Sequence, residues 1–243
     1  MNDPSSDIVP RFNTVGTATL LKKEVHRFAK VWLQTVLSPL VTTSLYFLVF
    51  GLALGSRLEE IDGVPYIEYV IPGLIMLAMI SNAFLNSSSS LFQSKVNGTS
   101  VDIMVAPLSA SEILFAYVIA SILRGHAVGL MVWLVSSVFV GFSVHSVPWT
   151  LFFTVSVSAT FGGFGVIIAL WAQKFDHLAV VPNFVLTPMT FLGGVFYSVE
   201  MLPEPWSTVS RFNPVLYMVN GMRHGLLGIS DVSPWTSGIA LLI

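Results

Sequence analysis

Two ionisable side chains, Arg124 and His126, lie near the middle of a 30-residue, otherwise apolar run covering residues 112–141. A charge at the centre of a bilayer costs about 2.5–3.5 kcal/mol on insertion scales unless it is paired or hydrated. Arg124 therefore marks either a functional path or a structural arginine bonded to carbonyls of a broken or tilted helix. No intramembrane Asp or Glu accompanies His126, which speaks against a proton relay. A second polar pair, Asn82 and Asn86, sits one helical turn apart in another apolar run and so shares a helix face. Such a pair serves either hydrogen bonds between helices or the lining of a path.

Catalytic spacings are missing. The dipeptide Gly-Lys never occurs, so a phosphate loop G-x-x-x-x-G-K-[ST] cannot be built from this chain. Neither H-E-x-x-H nor G-x-S-x-G is present. His145, His177 and His224 are scattered over different loops, which leaves a lipid-processing enzyme without its constellation. Glu59 and Glu60 are adjacent carboxylates in a charged loop and read as solvated surface. Cysteine is absent, so disulfides and thiolate metal sites are excluded. No metal and no cofactor is expected. The net charge of −2 gives no support to a nucleic-acid partner.

The elements that must position these residues are membrane helices. Hydrophobic residues make up 54% of the chain and charged residues 10%, against about 25% charged in soluble domains. Such a chain cannot cover a soluble surface, and its partner is a lipid bilayer. Apolar runs predict spans at 31–54, 69–92, 112–141, 149–171 and 178–197, with Pro182 and Pro188 kinking the fifth. Gly162 and Gly165 in the fourth allow another helix to approach closely. Before the first span, residues 20–30 form a basic amphipathic helix with Leu21, Val25, Phe28 and Ala29 on its apolar side. That helix either rests on anionic lipid or contacts a partner. The 14-residue apolar segment from Pro214 to Leu227 would extend about 21 Å as a helix, short of a ~30 Å hydrocarbon core. It is expected to be re-entrant or interfacial. A sixth span opens at Trp235 and has run nine residues when the sequence stops at Ile243.

Several runs carry a family resemblance: FLGGVFYSVEMLP at 191–203, NPVLYMVNGMRHGLLGI at 213–229, KEVHRFAKVWLQT at 23–35, IPGLIM at 71–76 and VAP at 105–107. Together they resemble the ABC-2 type permeases, the membrane subunits of many bacterial ABC exporters, and within them the YadH-type inner-membrane permeases. The resemblance implies an all-α integral membrane protein. Its fold would be a six-span, type V exporter-like bundle, with re-entrant helices before the last span and that span truncated here. Residues 1–30 would be a cytoplasmic N-terminus with an interface helix, and 31–243 the transmembrane domain. It implies a homodimer in the inner membrane, driven by two copies of a separate ABC ATPase. This chain has neither the phosphate loop nor the Ser-Gly-Gly core of an ABC signature, so hydrolysis would belong to the partner.

Carried onto this sequence, the resemblance gives the ATPase contact to Glu24 and Arg27 and to a coupling helix with Val101, Ile103 and Met104, ended by Pro107. The re-entrant signature falls on Gly193, Gly194, Pro203, Pro214, Tyr217 and Arg223. With the N-terminus inside, seven of the eleven Lys and Arg are cytoplasmic: Arg11, Lys22, Lys23, Arg27, Lys30, Lys95 and Lys174. Arg57, Arg211 and Arg223 would be outside and Arg124 within the membrane, as the positive-inside rule requires. The alternative, a secondary transporter or channel working without ATP, calls for carboxylates inside spans or paired broken helices, and no span holds an Asp or Glu in its interior.

Overall fold

The computed structural model describes residues 12–49, 60–141 and 144–242. The predicted end of the first span, with Arg11, Arg57 and Glu59, lies outside the described residues. Among the described residues the chain is helical apart from one small hairpin. Helix α1 (Thr14–Lys30) begins at Asn13, whose side chain accepts from the Gly16 amide at 2.9 Å and satisfies one of the helix's free donors. It buries Thr17, Leu20 and Glu24. Spacing alone pointed to a face centred on Leu21, Val25, Phe28 and Ala29, and the buried stripe is rotated from it. Ala29 is exposed. Helix α2 (Trp32–Tyr46) follows after Val31 and contains Pro39. Strands β1 (Glu60–Ile61) and β2 (Val64–Pro65) pair antiparallel around Asp62 and Gly63. Both turn residues have positive φ, 52° and 76°, which is the geometry a two-residue hairpin loop requires.

Helix α3 (Tyr66–Val96) is the axis of the bundle. Its 31 residues extend about 46 Å, and its buried positions run from Tyr66 to Ser94. Helix α4 (Ser100–Val105) is a single short element on the connection to α5 (Ala110–Phe139). Ser109 and Glu112 close a reciprocal cap at the start of α5. Helix α6 (Val147–Trp171) completes the central group. Helices α3, α5 and α6 are long and apolar enough to cross a membrane; α3 and α6 extend the predicted second and fourth spans by a few residues, and α5 is the predicted third span shifted two residues toward the N-terminus. Their shared core includes Met76, Ile80, Phe84, Val128, Phe153 and Val157.

Small residues bring α3 and α6 together. Ser87 Oγ donates to the Gly162 carbonyl at 2.6 Å, across the helix boundary. A Cβ on Gly165 would sit 2.6 Å from the Phe84 carbonyl oxygen, a backbone atom that cannot swing aside. Gly165→Ala is therefore expected to cost about 1–3 kcal/mol by overpacking. The thermal midpoint of the detergent-solubilised chain measures it, and an unchanged midpoint would mean that the two helices separate freely.

The apolar run at 178–197 is helical only as far as Phe191, with a change of winding inside the helix. It forms α7 (Phe175–Val181), a widened turn at Pro182–Leu186, and α8 (Thr187–Phe191). Pro182 and Pro188 lack the amide that an uninterrupted ladder needs, and Gly193 and Gly194 follow immediately. The predicted kinks are thus one widened turn, and the helix has ended before residue 197. After a short turn at Val199–Met201 come α9 (Trp206–Arg211), α10 (Pro214–Leu227) and α11 (Pro234–Leu242). Asn213 caps α10, and Gly228 ends it in the left-handed conformation at φ 79°.

Candidate functional site

A groove of about 630 Å³ opens between α2, α3 and α5. Arg27, at the end of α1, and Arg124, halfway along α5, both line it. Arg124 Nη2 donates to Asn82 Oδ1 at 3.3 Å. Arg27 Nη2 donates to the Asn86 carbonyl at 2.9 Å and to Asn86 Oδ1 at 3.0 Å. Asn86 Nδ2 reaches Ser121 Oγ on α5 at 3.3 Å. The shared face of Asn82 and Asn86 thus gathers both arginines, and Asn86 bonds to two different helices. Arg124 and His126 are not brought together. Two positions on a helix differ by about 200°, so His126 points away from Arg124; its ring nitrogens meet the Ile122 carbonyl of its own helix at 2.8 Å and Thr154 Oγ1 of α6 at 3.1 Å. His126 lines a separate, apolar cavity of about 270 Å³ with Trp133 and Leu151.

Sequence reasoning placed Glu24 and Arg27 at a partner-facing surface. In the structure Glu24 is fully buried. Its Oε2 pairs with Arg27 Nε at 3.1 Å, and this is the single ion pair among the described residues. Glu24 shares the i, i+3, i+7 stripe of Thr17 and Leu20, so the periodicity that buries the stripe buries the carboxylate with it.

The residues of α4 divide by face. Val101 is 58% and Met104 81% exposed, beside an equally exposed Val105, whereas Ile103 packs inward against the cluster of Leu20 and Tyr117. The Pro107 carbonyl accepts from Asn13 Nδ2 at 3.1 Å, which ties the α4–α5 turn to the start of α1. Glu112, not anticipated as a site residue, strengthens that tie: its carboxylate accepts from the Asn13 amide and, at 2.6 Å, from the Ser109 amide. The S-x-x-E spacing of Ser109 and Glu112 was the available signal.

The residues of the 193–223 signature are structural neighbours in part. Gly194 takes φ 70°, and a Cβ on Gly193 would sit 2.8 Å from Val215 Cγ1 of α10. Arg223 is fully buried; it donates to the Gly194 carbonyl at 2.7 Å and stacks over the Tyr69 ring, with Cζ 3.8 Å from the centroid. Tyr69 and Asp231, absent from the sequence expectation, complete this arrangement. Asp231 accepts from the Val199 amide at 2.9 Å and faces the Tyr69 hydroxyl at 3.4 Å. Tyr217 Oη donates to the Arg211 carbonyl at 2.7 Å, and Pro214 opens α10. Pro203 precedes α9 and accepts from the Trp206 amide at 2.9 Å. Next to it, the Ser207 and Thr208 hydroxyls hold the Glu204 carboxyl below the usual carboxylate range. Among the described residues no cluster of three or more His, Cys, Asp or Glu could hold a metal.

Residues 16–227 match the ABC-2 type transporter family. The inner membrane transport permease YadH of Escherichia coli K12 is 41% identical over 218 residues, which cover 90% of this chain and 85% of the relative. Nodulation protein J of Sinorhizobium fredii NGR234 is 26% identical over 189 residues, 76% of this chain and 70% of that protein. Nodulation protein J of Rhizobium meliloti is 22% identical over 200 residues, 82% and 76% respectively. The family match embraces α1, the three long helices and α10, so the chain belongs to the ABC-2 type transporter family.

Proposed function

We propose that the chain is the permease subunit of an ATP-binding cassette exporter of the inner membrane. It would act as a homodimer with two copies of a separate ATPase subunit, its N-terminus in the cytoplasm. The observation that carries the reading is α4. A six-residue helix between two long spans exposes Val101, Met104 and Val105, while Ile103 and the Asn13–Pro107 bond anchor it to α1. An apolar knob on a rigid base suits a partner that pushes, since force on a mobile loop would be dissipated. Residues 1–30 then form the interface segment and 31–243 the six-span domain, with α9 and α10 re-entrant at the outer side. Nucleotide-driven closure of the ATPase pair would press on α4 and tilt the spans between inward-open and outward-open states. Glu24 and Arg27 support this contact from inside, by holding α1 against α3, with no direct touch by Glu24.

The test is a double substitution, Val101→Asp with Met104→Asp. Two carboxylates in an apolar contact are expected to reduce co-purification of the ATPase at least about tenfold and to abolish ATP-driven export, with membrane insertion unchanged. Undiminished association and export in that variant would overturn the reading.

A further inference from the structure

Among the described residues, nothing around the groove between α2, α3 and α5 balances the charge of Arg124. Arg27 is paired with Glu24, whereas Arg124 has one long bond to a neutral amide. Arg124 Nε is buried with no hydrogen-bond partner. Among the described residues no carboxylate lines the groove. Arg27 and Arg124 are held by Asn86 and Asn82, which lie one helical turn apart on α3, so their like charges face the same stretch of the groove. An unpaired cation beside apolar helices is costly, and an anion between the two arginines would relieve both the desolvation and the repulsion.

The groove is also graded along its length. On α3 its lining runs from Gln93 to Leu74, 19 residues or about 28 Å, close to the thickness of a hydrocarbon core. Arg27 and Gln93 lie at one end and Arg124 part-way along, next to Asn82. The other end is formed by Leu74, Leu77 and Ala78 of α3, facing Thr42, Thr43 and Tyr46 of α2. A volume of about 630 Å³ is that of an ordinary ligand site. A polar anion alone would leave the apolar half wetted, and a plain hydrocarbon would leave the arginines unsatisfied.

We propose that this groove binds an anionic amphiphile, with a phosphate-type headgroup held by Arg27 and Arg124 and its hydrocarbon chain lying toward Leu74, Leu77 and Tyr46. Guanidinium groups suit this task because their planar forks give paired, charge-assisted bonds to phosphate oxygens. Binding needs no ATPase, so it is measured apart from the exporter reading and fails or holds separately from it.

Native mass spectrometry of the purified full chain, titrated with phosphatidylglycerol or with phosphatidylcholine, tests the proposal. Wild-type chain is expected to retain one phosphatidylglycerol with at least about tenfold preference over phosphatidylcholine. Arg124→Gln is expected to reduce that retention about tenfold, and Arg124→Lys to reduce it less. Ala78→Phe fills the apolar half without touching the charges, and it too is expected to weaken retention; it serves as well should the arginine variant fail to fold. Equal retention of the two lipids by wild type, or undiminished retention in both Arg124→Gln and Ala78→Phe, would overturn the proposal. So would complete displacement by millimolar inorganic phosphate, which would assign the arginines to a free anion.

Discussion

Arg223→Leu is expected to lower the stability of the solubilised chain by about 2–4 kcal/mol. The charge-assisted bond to the Gly194 carbonyl contributes about 1.5–3 kcal/mol and the desolvated stack on Tyr69 about 2 kcal/mol, less the desolvation that the arginine itself carries. What is lost is a junction. Arg223 belongs to α10, Gly194 to the turn after α8 and Tyr69 to α3, so three separate segments release one another. Asp231 then faces Tyr69 without the nearby positive charge. Leucine fills much of the volume, which isolates the polar contribution from cavity formation. Arg223→Lys is expected to recover little, because an ammonium cannot both stack flat on the ring and reach the carbonyl. The thermal midpoint gives the magnitude, and limited proteolysis between residues 192 and 213 locates it. Wild-type values by both measures would mean that the contacts around Arg223 are dispensable.

Arg27→Met is expected to be comparably damaging, at about 3–5 kcal/mol, because it strands a buried carboxylate. Glu24 is 0% exposed and its Oε1 already has no partner, so the pair with Arg27 is its main compensation. The second change, Glu24→Leu, removes the stranded charge. The double variant is expected to recover at least half of the loss, since an apolar pair of similar volume avoids the desolvation of both ions. It will not recover everything, because Arg27 also bonds twice to Asn86. A double-mutant cycle measures the coupling; strictly additive costs would show that Glu24 does not depend on Arg27.

The three long helices were legible because each apolar run is unbroken and long enough to act on its own. Residues 69–92, 112–141 and 149–171 need no tertiary information to be seen as helical. In the run at 178–197 the two prolines were visible as points where the ladder is interrupted, but the hydropathy pattern did not show that the helix ends at Phe191, before the two glycines. The Asp62–Gly63 turn carried a hairpin signal that was masked by the acidic loop around it. For the site, spacing placed Asn82 and Asn86 on one face, and they share it. Spacing could not say that Ser121, Arg27 and Arg124 converge on that face, because those partners come from two other helices, α1 and α5. Glu24 illustrates the opposite case. A carboxylate in a basic amphipathic helix suggests exposure, and only the packing of α1 beside α3 and α5 reveals which side of the helix is sealed. Arg223 could not be recognised as buried, since its shelter is built from a glycine carbonyl 29 positions earlier and a tyrosine on α3.

Helix α1 is clamped at both ends. Asn13 fastens its start to Pro107 and Glu112 at the α4–α5 turn, and Arg27 fastens its last turn to Asn86 in α3. Seventeen residues of helix make a strut about 25 Å long. A strut pinned at two points carries load without absorbing it in a hinge. A displacement of the α4–α5 turn is therefore delivered, by leverage and with little slack, to the asparagine beside the two arginines, so mechanical work done at one end of α1 arrives as a change in the shape of the groove at the other.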